Sequence, residues 1–208
     1  MKLQQRREGR LITVTGASRS GKTLWTAQQV AAEKNALVWD LLGEWSARYR
    51  CVRVASIGQL IDAVKSGKQQ RLAFHCARQV EHFPAFCRVA WAWIRLTARG
   101  PLIVEETASV TQPGKAPPEW GDIIRMGLRY GHDIYPLTQR PAESDKTTFG
   151  NASVLHVGRA VTPGDRARVA EYLDVPASEV AALAPLQFIE RHADGRLIRG
   201  RVDPKKRT

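Results

Sequence analysis

The sequence is poor in several features that define other classes of protein. It has three cysteines, Cys51, Cys76 and Cys87, and their odd number and spacing argue against a disulfide framework or a zinc site. No apolar run approaches the roughly 20 residues of a membrane-spanning helix. The charged first residues are unlike a secretory signal, and no repeat or low-complexity tract is visible among the 208 residues. We therefore expect a single domain without a membrane span, in a reducing cytosol.

Acidic residues are also scarce relative to basic ones. The chain has 20 Asp and Glu against 32 Lys and Arg, and its formal net charge is +12. This excess favours an acidic polymer as partner, and nucleic acid before a membrane surface, with a merely soluble basic surface as the alternative. The basic residues near the two ends are Lys2, Arg6, Arg7, Arg10, Arg196, Arg199, Arg201, Lys205, Lys206 and Arg207.

A phosphate-binding motif stands near the start of the chain. Residues 11–23 read LITVTGASRSGKT, in which a β-branched run precedes G-x-x-x-x-G-K-[ST] and a helix-forming segment follows it. In this motif, backbone N–H groups and the helix N-terminus bind phosphates, the lysine reaches the β and γ phosphates, and the final hydroxyl ligates Mg²⁺. The pattern predicts an ATP site with Thr23 on the magnesium ion. The predicted nucleotide-binding residues are Gly16, Ala17, Ser18, Arg19, Ser20, Gly21, Lys22 and Thr23.

Strand and helix patterns alternate along the rest of the chain. Strands are predicted at 36–40, 51–55, 71–76, 102–104, 133–138 and 154–157, and a hairpin at 186–202, although Pro136 weakens the strand at 133–138. Helices are predicted at 57–67, 80–99 and 119–130, and the segments 107–118 and 140–151 are expected to be loops. The alternation predicts an α/β protein with a mainly parallel sheet flanked by helices, and a C-terminal hairpin. We expect a core over about 11–173 and a helical and hairpin appendage over about 174–208.

Two predicted strands end in polar residues that suit ATP hydrolysis. Glu105 and Glu106 follow the strand LIV, and Gln139 follows the strand DIYPLT. Ligands of parallel sheets bind at the carboxyl ends of the strands, so these side chains should lie near Lys22. Glu105 is then expected to hold Mg²⁺, Glu106 to activate water, and Gln139 to contact the γ-phosphate. A solvated acidic turn is the alternative. The strand candidates between Lys22 and Glu105 favour the RecA-like branch of P-loop proteins, which inserts a strand between the phosphate-loop strand and the acidic strand.

Three stretches of the sequence resemble a known superfamily. GASRSGKT, LIVEE, and RYGHDIYPLTQRP followed by NASVLHVGRAVTPGDRARVAEYL look like the HerA and FtsK superfamily of ring-forming DNA-pumping ATPases. The small size resembles the genome-packaging ATPases of tailless, internal-membrane bacteriophages. The resemblance implies that Gln139 is the sensor glutamine. The family's acidic pair is usually Asp then Glu, whereas this chain has Glu105 then Glu106.

The resemblance also implies roles for exposed cations. Rings of this kind use arginines that bridge subunits, and Arg129 and Arg159 are the candidates, with an ordinary surface role as the alternative for each. The loops at 107–118 and 140–151 are expected to face a central channel, where Lys115 and Lys146 would contact DNA phosphates.

The resulting expectation is a ring-forming ATPase, expected as a hexamer, that uses ATP and Mg²⁺ to move DNA into a preformed capsid. It would act in the host cytoplasm and at the packaging vertex of the virion, beside capsid or portal proteins. Alternatives are a conjugation, helicase-like or filamentous-phage assembly ATPase, a nucleotide-gated DNA-binding scaffold without turnover, and a small-molecule kinase.

Overall fold

The computed structural model describes residues 8–97, 99–206 and 208, so Lys2, Arg6, Arg7 and Arg207 lie outside the described residues. The strands are β1 Ile12–Thr15, β2 Ala36–Trp39, β3 Val52–Val54, β4 Arg71–Phe74, β5 Leu102–Val104, β6 Ile134–Thr138, β7 Val154–Gly158, β8 Gln187–His192 and β9 Leu197–Arg201. The helices are α1 Lys22–Gln29, α2 Glu44–Arg48, α3 Ile57–Lys65, α4 Phe83–Leu96, α5 Pro118–Met126, α6 Lys146–Gly150, α7 Pro163–Leu173 and α8 Ala177–Ala181. Short 3₁₀ turns cover Gln79–His82, Thr107–Ser109, Gly127–Tyr130 and Pro141–Glu143.

The strands form one nine-stranded sheet in the order β3-β4-β2-β5-β6-β1-β7-β8-β9. The first seven strands in this order are parallel, and β8 and β9 extend the sheet as an antiparallel hairpin. The prediction of an α/β fold with a mainly parallel sheet and a C-terminal hairpin is confirmed. The division of the chain into a core and an appendage stays a prediction.

One strand does separate the phosphate-loop strand β1 from the acidic strand β5, as expected. That strand is β6, which follows β5 in the chain, whereas β2, β3 and β4 lie beyond β5. The prediction of an inserted strand is therefore correct, but the strands before Glu105, on which it was based, are not the inserted ones. Pro136 lies within β6 opposite Val104, so the proline does not end the strand.

Short helices also form outside the predicted helices. Asp145 caps α6 by accepting the Thr148 N–H at 2.7 Å, so the segment 140–151 is not an irregular loop. The region after β2 likewise forms α2, which begins after Gly43 in the left-handed conformation (φ 73°). The helix predicted over 119–130 begins at Pro118 and leaves the α-helical conformation after Met126. Short polar segments like these depend on tertiary contacts more than on local periodicity.

Helices pack on both faces of the sheet. Successive side chains of each strand point to opposite faces, so the apolar strands present apolar side chains on both. One face of the central strands packs on α3, α4 and α5 around Trp39, Phe74 and Trp120. The other face packs on α1 and α2, where Trp25 and Trp45 are buried. A third cluster seats α7 and α8 on β7 and β8. These layers bring the polar residues after β1, β2, β5 and β6 to one edge of the sheet, which we call the carboxyl edge.

Candidate active site at the carboxyl edge of the sheet

The phosphate loop needs glycine at both ends of its motif. Gly16 has φ +150°, and a Cβ added there would lie 2.6 Å from Ser20 Oγ. Gly21 has φ +95°, and a Cβ there would lie 3.0 Å from Leu186 Cδ2, in the segment that leads into β8. The left-handed conformations and the close approach therefore explain both glycines of the motif.

The loop is held by the two strands that flank β1. The Gly16 N–H donates to the Thr138 carbonyl at 3.2 Å, at the end of β6, and the Ala17 N–H donates to the Arg159 carbonyl at 2.7 Å, just after β7. The loop then enters α1, whose first N–H groups have no partner within the helix. Anchoring at both sides fixes the direction in which these donors point, as a phosphate cradle requires.

Lys22 is the buried cation of the site. It is 8 % exposed, and its Nζ donates to the Ala17 carbonyl at 3.3 Å. Burial lowers the pKa of this lysine, and the nearby carboxylates of Glu106 and Glu105 act in the opposite direction. An anion brought to the loop would oppose the effect of burial and favour the charged form, which suits a residue that binds phosphate.

Glu105 lies deep in the site and faces the motif's hydroxyl. Its Oε1 accepts the Thr23 Oγ1 hydrogen at 3.4 Å and the Trp45 indole N–H at 2.9 Å. Only 4 % of the residue is exposed, and burial, followed by the charge of Asp40, raises the pKa of its carboxyl to about 8. Its Oε2 is buried without a hydrogen-bond partner among the described residues.

These two residues fit a hard divalent cation. Mg²⁺ binds proteins through one or two carboxylates or hydroxyls and keeps several waters, so it needs few protein oxygens. Thr23 Oγ1 and the unpartnered Oε2 of Glu105 supply oxygen donors beside the loop. A cation there would also stabilise the ionised form of a carboxyl that burial disfavours.

Glu106 and Gln139 form a pair across the ends of β5 and β6. The Gln139 side-chain amide donates to Glu106 Oε1 at 2.7 Å, and the Gln139 backbone N–H donates to Glu106 Oε2 at 3.2 Å. Glu106 adopts the left-handed conformation (φ 46°, ψ 55°), which is uncommon for glutamate and occurs often at functional sites. Both side chains are half-buried. The structure therefore places the expected water-activating and phosphate-sensing groups in direct contact.

Sequence reasoning missed two residues of this edge. Asp40 directly follows β2, is fully buried, and accepts hydrogen bonds from the backbone N–H groups of Trp45 and Ser46 at 3.2 and 3.1 Å. Trp45 then reaches Glu105, as described above. The polar residue after the strand ALVW was the available signal for Asp40, whereas no local pattern indicated Trp45.

The cations predicted to contact a second subunit or DNA are exposed, and they lie in different places. Arg159 is beside its own phosphate loop through the Ala17 bond. Arg129 belongs to the 3₁₀ turn that precedes β6 and so lies at the opposite edge of the sheet. Lys115 and Lys146 are on adjoining segments, since the Lys146 N–H donates to the Gly114 carbonyl at 2.7 Å. Their roles stay predictions.

No protein-family model matches the chain. Protein P9 of Pseudoalteromonas phage PM2 is 35 % identical over 175 residues, which span 82 % of this chain and 78 % of that protein. The chain belongs to the family of this phage protein. The expected relationship to a bacteriophage protein is confirmed.

Solved structures of other proteins share the fold of this chain. The genome-packaging NTPase B204 of Sulfolobus turreted icosahedral virus 2, in complex with AMPPCP, matches with a TM-score of 0.78 and 13 % identity, over 95 % of this chain and 99 % of B204. The N-terminal domain of zonular occludens toxin from Neisseria meningitidis matches with a TM-score of 0.52 and 15 % identity, over 95 % and 96 % of the two chains. At such identities these matches show a shared fold. No helix among the described residues of this P9-family chain has the length and apolar character to cross a bilayer.

Proposed function

We propose that this P-loop ATPase assembles as a homo-oligomeric ring and couples ATP hydrolysis to the movement of DNA into a viral capsid. The meeting of the phosphate loop, Glu105 and the Glu106–Gln139 pair at one edge of the sheet is the observation that supports turnover most directly. A scaffold that only binds nucleotide would need the loop but not the other three side chains. The relationship to phage protein P9 and the fold shared with the genome-packaging NTPase B204 support the viral setting.

The residues of the carboxyl edge divide the work of hydrolysis. The loop amides and Lys22 hold the phosphates of ATP. Thr23 and Glu105 would hold Mg²⁺, which neutralises charge on the β and γ phosphates when bound. Glu106 accepts the proton of the attacking water, and Gln139, already hydrogen-bonded to Glu106, orients that water against the γ-phosphate. Arg129 of a neighbouring subunit, or Arg159 in its place, stabilises the transition state.

The charge of the chain supports contact with the DNA backbone. A net charge of +12 favours phosphate contacts, which position a duplex without reading its sequence. We assign Lys115 and Lys146 to such contacts in the channel of a hexameric ring. Capsid or portal-vertex proteins are the expected further partners, in the host cytoplasm and at the virion vertex.

Phosphate release in the presence and absence of DNA tests this function. We expect turnover that rises with two unrelated duplexes alike and falls as salt displaces the DNA, with a slope of log K against log salt of about −0.9 per phosphate contact. Single-stranded DNA of the same length tests the preferred form. Lys22→Ala is the control, since it should lose nucleotide binding. ATP binding without phosphate release under every condition would contradict the proposal and favour a nucleotide-gated scaffold.

A further inference from the structure

Trp45 links α2 to Glu105, the carboxylate expected to hold Mg²⁺. Its side chain is fully buried, and its indole N–H donates to Glu105 Oε1 at 2.9 Å. Its backbone N–H and that of Ser46 are fixed on the two carboxylate oxygens of Asp40. The indole donor is therefore held in place from the end of β2, the strand adjacent to the one that ends at Glu105.

The bond decides which oxygen of Glu105 is free. Oε1 receives both Thr23 Oγ1 and the Trp45 indole, while Oε2 has no partner among the described residues. A glutamate has one more rotatable bond than the aspartate usual in the superfamily, so its carboxylate needs an additional constraint to stay in one orientation. A buried indole N–H is a pure donor in a fixed plane and supplies that constraint.

We propose that Trp45 is a positioning residue for magnesium: it holds Oε1 of Glu105 so that Oε2 is presented to the cation or to its water shell. This inference rests on the proposed nucleotide site, because it assigns Glu105 to Mg²⁺. Groups that orient metal ligands from behind affect metal affinity strongly, and their loss commonly costs about 10- to 100-fold.

The chain offers a matched control for the test. Trp39 is also fully buried, and its indole nitrogen has no hydrogen-bond partner among the described residues. Trp39→Phe and Trp45→Phe therefore make the same chemical change, but only the second removes a donor from Glu105. Both lose packing in the core, so a purely structural effect should appear in both.

The measurement is the Mg²⁺ concentration that gives half-maximal binding of a fluorescent ATP analogue, with binding in EDTA as the reference. We expect Trp45→Phe to raise this concentration about tenfold or more, with little change in EDTA, and Trp39→Phe to leave it unchanged. In a Glu105→Gln background, Trp45→Phe should add no further effect. An unchanged Mg²⁺ requirement in Trp45→Phe, or equal shifts in both tryptophan variants, would overturn the proposal.

A second measurement uses the unmodified protein and so does not depend on the variants folding. The indole ¹⁵N–H resonance of Trp45 should shift when Mg²⁺ is added to the ADP complex, and that of Trp39 should not. A Trp45 resonance insensitive to Mg²⁺ would contradict the inference. Neither readout requires turnover, so a protein that binds Mg²⁺ and nucleotide without hydrolysis would refute the proposed function while leaving the role of Trp45 intact.

Discussion

The carboxyl edge and the exposed cations of this protein differ in what determines their roles. Lys22 and Glu105 are 8 % and 4 % exposed, and each is bonded to other parts of the same site. Arg129, Lys115 and Lys146 are exposed on the surface. Within the edge, one chain supplies both partners of each contact. The exposed cations would contact a second subunit or DNA. The fold of a single chain therefore shows where these residues lie but not what they bind.

Arg129 offers the largest effect and the strongest test of this contrast. An arginine supplied by a neighbouring subunit can be worth roughly 10³ to 10⁵ in rate. We expect Arg129→Ala to bind ATP and assemble normally but to release phosphate slower by that factor. Arg159→Ala is the matched comparison, because Arg159 is exposed but lies beside the phosphate loop of its own chain. Full activity of Arg129→Ala would pass the role to Arg159 or to no arginine.

Mixed rings show whether the arginine acts between subunits. Glu106→Gln and Arg129→Ala proteins should each be inactive alone. When they are mixed, some interfaces combine an intact glutamate site with an intact arginine, so part of the ATPase activity should return. No recovery at any mixing ratio, with assembly confirmed by sedimentation, would contradict a site shared between subunits.

Glu106→Gln tests the carboxyl edge. The amide keeps the shape of the side chain but no longer accepts a proton, so we expect intact ATP binding and a loss of turnover on the order of 10² to 10⁴. Glu44→Gln is the control, since Glu44 is a half-buried acid of α2 near the same site. Phosphate release by Glu106→Gln close to that of Glu44→Gln would remove Glu106 from the mechanism.

Sequence patterns predicted the carboxyl edge well where a strand directly precedes the functional residue. Glu106 and Gln139 follow regular strands, so knowing the strands places both residues at the same edge. Trp45 was missed because its role depends on Asp40, five residues earlier, and on Glu105, sixty residues later. An inserted strand between β1 and β5 was predicted from the strand candidates before Glu105, whereas that strand is β6. The order of strands depends on packing across the sheet, which local sequence patterns do not show.

The raised pKa of Glu105 makes the stability of the folded chain depend on pH. The pKa rises from its ordinary value of 4.5 to about 8 in the folded chain, so between these values the folded state retains a proton that the unfolded chain releases. The free energy of unfolding should therefore fall as pH rises through this range, by up to about 1.4 kcal/mol per pH unit. Without Mg²⁺, Glu105→Gln should flatten this dependence in urea titrations. Equal slopes in the parent protein and in Glu105→Gln would contradict the assignment.

Replacing Lys115 and Lys146 should have the smallest effect of the changes discussed, and the effect should be on DNA binding. Lys115 lies in the segment that follows β5 and Lys146 in the segment that follows β6, and the Lys146 N–H joins these segments by donating to the Gly114 carbonyl. Removing both with Lys115→Ala and Lys146→Ala should make the slope of log K against log salt less steep by about 1.8, at about 0.9 for each lost phosphate contact. The control is Lys65→Ala with Lys68→Ala, which removes the same charge from exposed positions at the end of α3. If DNA binding depends only on net charge, both double variants will lose the same slope. A loss confined to the Lys115 and Lys146 pair would instead identify their segments as the surface that contacts the DNA backbone.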